Sequence, residues 1–145
     1  MAIFKIVPEN YEDPNCIQNL VNYCFNPAKT QPYLCGAYAL NPCNIAAEMM
    51  AIKHLYGKEG GHQVRHFIVS YQPGETIAEE VMPAAWEIAS LYGHRHQIFF
   101  AIHQDEPHIH IHFVLNTVSY VDGLIFSESR ADFYKMRNFI DQLHG

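Results

Sequence analysis

From His108 to Leu115 the chain reads His-Ile-His-Ile-His-Phe-Val-Leu, and this stretch constrains the fold more tightly than any other. A period of two with β-branched and aromatic partners is the pattern of a strand. Alternate side chains of a strand share a face, so His108, His110 and His112 point one way while Ile109, Ile111 and Phe113 point the other. One sheet face is thereby committed to a core and the other to polar chemistry.

A lone histidine in an apolar strand is ordinarily a hydrogen-bonded core residue, but three in a row need a shared partner. Left unpaired, each buried imidazole would cost about 1 to 3 kcal/mol. A metal ion removes that cost, because neutral imidazole is the commonest protein ligand and residues at i and i+2 of a rigid strand converge on one ion. His103 can fold back across the turn Gln104-Asp-Glu-Pro107 as a further ligand. Asp105 in that turn can orient an imidazole or act as a base.

The flanking segments predict an α+β domain. Ala2 to Val7 alternates as a strand. Asp13-Pro14 opens a helix to about Phe25, striped by Ile17, Leu20, Val21 and Cys24, and Tyr23 lies beside that stripe in its last turn. Lys29 in the loop that follows can neutralise a phosphate. Tyr33 to Leu40 reads as extended, and Ile45 to Tyr56 as a helix striped by Ile45, Met49, Ile52 and Tyr56. His66 to Tyr71 is a strand in which His66, Ile68 and Ser70 share a face, so that His66 or Ser70 can join the histidines.

Thr76-Ile-Ala-Glu79 matches a capping box for a helix striped by Ile77, Val81, Ala84, Ile88 and Leu91. Gln97 to Ile102 is an almost wholly apolar strand, suited to a central position, that should form a hairpin with the histidine strand. Asp122-Gly123 marks a short hairpin. Ser129 opens a last helix striped by Phe133, Met136, Ile140 and Leu143. Strands joined by both helices and hairpins imply a central antiparallel or mixed sheet with helices packed on it, the histidine strand in the middle.

Composition excludes some roles. No apolar run approaches the ~20 residues that span a bilayer, and the start of the chain has no secretory pattern, so a cytoplasmic location is expected. Cys16, Cys24, Cys35 and Cys43 are spaced by eight, eleven and eight residues, which matches no CxxC zinc pattern and suggests reduced thiols. A formal net charge of −6 opposes a bulk electrostatic grip on nucleic acid, unless Lys29, Lys53, Lys58, Arg65, Arg95 and Arg130 gather on one face.

The histidine stretch resembles the third motif of the plasmid mobilisation relaxases, DNA-nicking members of the HUH endonuclease class. The pair is His110-Ile111-His112, with His103 and Asp105 upstream and Asn116 after the apolar residues. Val21-Asn-Tyr23 with Lys29-Thr30 is similar to the family's first motif, and the run from His54 through His66-Phe-Ile-Val-Ser70 continues the order.

The resemblance implies an HUH relaxase-like fold and one relaxase catalytic domain over residues 1–145, shortened at its C-terminal end, since members ordinarily continue past the last helix. It implies nicking of single-stranded DNA at an origin of transfer, with accessory mobilisation proteins as further partners. Tyr23 would attack a phosphodiester and keep the 5′ phosphate, with Asp105 as candidate base. His103, His110 and His112 would hold a divalent ion, Mg²⁺ or Mn²⁺ by family and Zn²⁺ or Ni²⁺ by ligand softness. His108, His66, Ser70, Lys29 and Asn116 would support the ligands or the substrate.

Three other readings stand beside this one. A replication initiator of the same class would use Tyr134, flanked by Lys135 and Arg137. A metal hydrolase of small substrates would use the histidines to activate water, with Asp105 or Glu106 as base. A non-catalytic domain would use them as a structural metal site.

Overall fold

The histidine strand is the middle of five. The computed structural model describes residues 2–144 and pairs every neighbour antiparallel in the order β1-β3-β5-β4-β2. The strands are β1 (Ile3–Ile6), β2 (Cys35–Tyr38), β3 (Val64–Ser70), β4 (Ile98–His103) and β5 (His110–Asn116). The helices are α1 (Asn15–Cys24), α2 (Ile45–Leu55), α3 (Met82–Gly93) and α4 (Arg130–His144). This is the expected α+β class, with the sheet wholly antiparallel and helices on both of its faces.

Strand alternation sorts the core in two. Phe67, Val69, Phe100, Ile102, Ile111 and Phe113 face α3 and α4, with the rings of Phe67 and Phe113 stacked at 4.8 Å. On the other face Phe99, Ala101 and Val114 pack against Ile17, Leu20 and Cys24 of α1 and Met49 of α2. The same alternation puts His103, His110, His112 and His66 on the α1 side, because His103 pairs with His110 and Ile68 with His112.

Several boundaries differ from expectation for local reasons. β5 begins at His110, so His108 is not on the strand. It is the last residue of the bend at 105–108 and follows Pro107, which has no N–H to add to a ladder. Pro32–Leu34 forms a 3₁₀ turn that shortens the extended segment to β2. The helix anticipated from Ile77 starts instead as a 3₁₀ turn, Ala78–Val81, with α3 proper beginning at Met82.

That delay shifts the phase of α3. Its buried face is Ala85, Ile88, Ala89 and Gly93, and Ile77 and Leu91 are exposed. Glu79 closes no capping box and accepts a hydrogen bond from the Tyr33 hydroxyl at 2.7 Å. At α4 the capping is reciprocal: Asp132 N–H donates to Ser129 Oγ and Ser129 N–H donates to Asp132 Oδ2. At residues 118–126 the chain forms a single bridge, Val118 to Ile125, with Gly123 at φ 73°, a conformation glycine adopts without strain.

Candidate active site

Cross-strand register builds the centre of the site. His103 is the last residue of β4 and stands opposite His110, so it arrives by strand pairing and not by folding back. His112, two residues further on β5, completes a triangle with ring centroids 4.3 Å from His103 and 5.1 Å from His110. One nitrogen from each of the three rings lies within 4.8 Å of the others.

Hydrogen bonds fix which nitrogens are available. His103 Nε2 is 2.9 Å from the carbonyl of Cys24. A carbonyl only accepts, so the ring hydrogen is on Nε2 and the lone pair on Nδ1. His110 Nδ1 donates in the same way to His108 O at 3.2 Å, which leaves its lone pair on Nε2. His103 Nδ1 and His112 Nε2 are buried and have no protein partner. Buried polar atoms are nearly always satisfied, and a divalent ion shared by the triad satisfies both.

Protonation agrees with a ligand role. Burial lowers the pKa of His103 and of His110, and it lowers that of His112 to about 2, with the neighbouring imidazoles adding to the effect. Neutral rings are the ligating form. His66, on β3, is lowered to about 4 by burial and by His103. Its Nε2 is 2.9 Å from His112 Nδ1, and its Nδ1 is 3.0 Å from the hydroxyl of Tyr11.

Tyr23 reaches the same place from the last turn of α1. Its ring centroid is 5.4 Å from that of His112 and 5.5 Å from that of His103, and 43% of the residue remains exposed. Lys29 Nζ stands 5.3 Å from the centre of the Tyr23 ring and 3.2 Å from Asp105 Oδ2. Two bonds tie this loop to the end of β4 and the turn beyond it: Thr30 Oγ1 donates to Ile102 O at 2.6 Å, and Gln104 N–H donates to Lys29 O at 2.9 Å.

The Asp105 carboxylate therefore partners a lysine and not an imidazole. Partial burial raises its pKa, but the Lys29 hydrogen bond and charge outweigh this and hold it below the usual carboxylate range. Beside the triad a cavity of about 520 Å³ is lined by Val7, Tyr11, Tyr23, His66, Ile68 and His112.

Other candidates are placed elsewhere. The half-exposed ring of His108 lies 3.1 Å from Glu106 and stacks beside His110 at 5.2 Å. Ser70 pairs across the strands with His110, at the margin of the cluster. Asn116 shares the histidine face, but it is fully buried and accepts from Lys53 Nζ at 2.6 Å while donating to Met49 O and Gln97 Oε1. Tyr134 is on α4, whose core residues pack on the opposite sheet face. The sheet separates it from the histidines.

Five of the six basic residues named above already have partners within the chain. Lys53 is 1% exposed and Lys29 is paired with Asp105. Arg65 bonds Glu128, Arg95 bonds Asp122, and Lys58 bonds the Gly123 carbonyl. The sequence reading missed Tyr11 and the Cys24 carbonyl, and no local pattern marks either one. Tyr11 matters only because β3 pairs with β5, and the Cys24 carbonyl only because α1 packs against the end of β4.

Comparisons with known proteins give the chain a family. A family model described as "Relaxase: MobA/VirD2-like, nuclease domain" matches residues 23–144. A Staphylococcus aureus "Protein rlx" is 28% identical over 108 residues, covering 72% of this chain and 32% of the relative. Another Staphylococcus aureus "Protein rlx" is 35% identical over 91 residues, covering 61% and 28%. Escherichia coli "Protein TraI" is 26% identical over 125 residues, covering 80% and 16%.

The chain thus spans about a third of the length of the rlx relatives or less. No solved structure matches it. Among the described residues no helix is long and apolar enough to cross a membrane. With the family model matched from Tyr23 to the end of α4, and with a histidine triad, a lysine and a tyrosine converging inside that span, the chain belongs to the relaxase family of MobA/VirD2-like nuclease domains.

Proposed function

We propose that residues 1–145 act as a relaxase catalytic domain that nicks one strand of DNA at an origin of transfer in plasmid or mobile-element mobilisation. The substrate is single-stranded DNA, and accessory mobilisation proteins are its further partners. The observation that carries this reading is the placement of the Tyr23 ring 5.4 Å from His112 and 5.5 Å from His103. A candidate nucleophile and a candidate metal site thereby share one opening.

The reaction is a transesterification. The Tyr23 oxygen forms a bond to phosphorus, the bond from phosphorus to the 3′ oxygen breaks, and the 5′ phosphate stays on the tyrosine while a 3′ hydroxyl departs. A phenol is mostly protonated at neutral pH, so the positive charge of Lys29 near the ring favours the developing phenolate. Asp105 holds that lysine in place. The phenolic hydrogen passes to water or to the leaving 3′ oxygen.

His103 through Nδ1, with His110 and His112 through Nε2, would hold a divalent ion. When bound, such an ion supplies charge stabilisation at a phosphate oxygen. Three neutral ligands leave the ion's charge undiminished, which offsets the acidic character of the chain. Mg²⁺ or Mn²⁺ is expected from the family, and Zn²⁺ or Ni²⁺ is compatible with the imidazoles.

The test is direct. The chain is incubated with labelled single-stranded oligonucleotides spanning candidate transfer origins and Mn²⁺, then denatured. A covalent protein-DNA adduct bearing the 5′ phosphate supports the reading. Cleavage without any adduct would point to activated water instead.

A further inference from the structure

Behind the triad, three side chains form an unbroken line. Tyr11 Oη lies 3.0 Å from His66 Nδ1, His66 Nε2 lies 2.9 Å from His112 Nδ1, and His112 Nε2 ends the line buried and without a protein partner. A neutral imidazole carries one ring hydrogen. The line therefore runs in one of two directions.

In the inward direction the Tyr11 hydroxyl donates to His66 Nδ1 and His66 Nε2–H donates to His112 Nδ1. His112 then carries its hydrogen on Nε2, where it offers no lone pair to an ion. In the outward direction His112 Nδ1–H donates to His66 Nε2 and His66 Nδ1–H donates to Tyr11 Oη. Only then does His112 Nε2 present a lone pair beside His103 and His110. Each residue holds the same number of hydrogens either way, since the hydrogen that leaves His112 Nε2 is balanced through water by one that reaches Tyr11 Oη.

We propose that His66 is a positioning residue that selects the ligating tautomer of His112, and that ion occupancy of the triad fixes the line outward. With Tyr11 Oη accepting from His66, the hydroxyl hydrogen of Tyr11 turns free to donate into the cavity it shares with Tyr23. Metal occupancy is in this way coupled to a hydrogen-bond donor beside the substrate. The inference rests on the metal reading of the site and is independent of the DNA chemistry.

The test uses the whole chain labelled with ¹⁵N-histidine and titrated with Zn²⁺, a diamagnetic ion that imidazole binds well. Long-range ¹H–¹⁵N correlations report the tautomer of each ring. The expected spectrum of the loaded protein has both His66 and His112 protonated at Nδ1. His66→Phe, which keeps a ring but removes the acceptor, weakens Zn²⁺ binding by roughly 10- to 100-fold, and His66→Gln, which restores an acceptor, recovers most of it.

His66 still protonated at Nε2 with Zn²⁺ on the triad would overturn the proposal, as would unchanged Zn²⁺ affinity in a folded His66→Phe chain. The tautomer measurement decides even if that variant does not fold. Absence of Zn²⁺ binding by the unaltered chain would overturn this inference together with the metal reading. Zn²⁺ binding with the expected tautomers but no DNA adduct would support it and count against the nuclease reading alone.

Discussion

Lys29 Nζ stands 5.3 Å from the centre of the Tyr23 ring while its charge is held 3.2 Å from Asp105. Lys29→Met should therefore slow adduct formation roughly tenfold, about 1.4 kcal/mol on the barrier, with Mn²⁺ affinity nearly unchanged. Asp105→Asn should slow it less, because the lysine keeps its charge. Single-turnover rates at saturating Mn²⁺ provide the check, and a loss of 100-fold or more in Asp105→Asn with a harmless Lys29→Met would make Asp105 the base.

The ligand set follows from the orphaned nitrogens. His103→Ala, His110→Ala and His112→Ala should each abolish tight Mn²⁺ binding in calorimetry, whereas His108→Ala should change it by less than about threefold. Saturating Mn²⁺ at ~100 times its dissociation constant should stabilise the unaltered chain by about 2.7 kcal/mol, and chelation should reverse this. The ligand variants should not respond.

Lys53 provides the pH dependence. Burial lowers its pKa from 10.5 to about 8. Between those values the unfolded chain binds the proton and the folded one does not, so stability rises with pH across the window and the burial cost is at its full value below pH 8. Relative to Lys53→Met, the unaltered chain should gain about 1.4 kcal/mol per unit between pH 8 and 10.5. Paired urea denaturations at several pH values measure the difference, in which the other titrating groups cancel.

Asn116 tests stability against function at one position. It accepts from Lys53 and donates to two other buried groups, so Asn116→Ala should cost about 2 to 4 kcal/mol by leaving them unpaired. The Mn²⁺ affinity of the folded fraction should stay within about twofold. A large loss of metal binding without loss of stability would return Asn116 to the site.

Much of this was legible in the sequence because it is local. The alternation at Ile109 to Leu115, the α1 stripe and the α4 stripe each follow from a single period, and β4 and β5 pair through a short turn. The position of His103 opposite His110 depends on register and of His108 on where the ladder starts, and neither is encoded by period alone. The phase of α3 was lost to a 3₁₀ turn before Pro83. Lys53 reads as a surface lysine until β5 delivers Asn116 to it, and Tyr11 has no pattern at all before β3 brings His66 alongside.

The most direct measurement compares Tyr23→Phe with Tyr134→Phe in covalent capture of labelled single-stranded DNA with Mn²⁺, scored after denaturation. Tyr23 shares the histidine opening and Tyr134 lies across the sheet. The expected result is complete loss of the adduct in Tyr23→Phe and near-normal yield in Tyr134→Phe. An adduct that survives Tyr23→Phe and disappears in Tyr134→Phe would contradict the assignment.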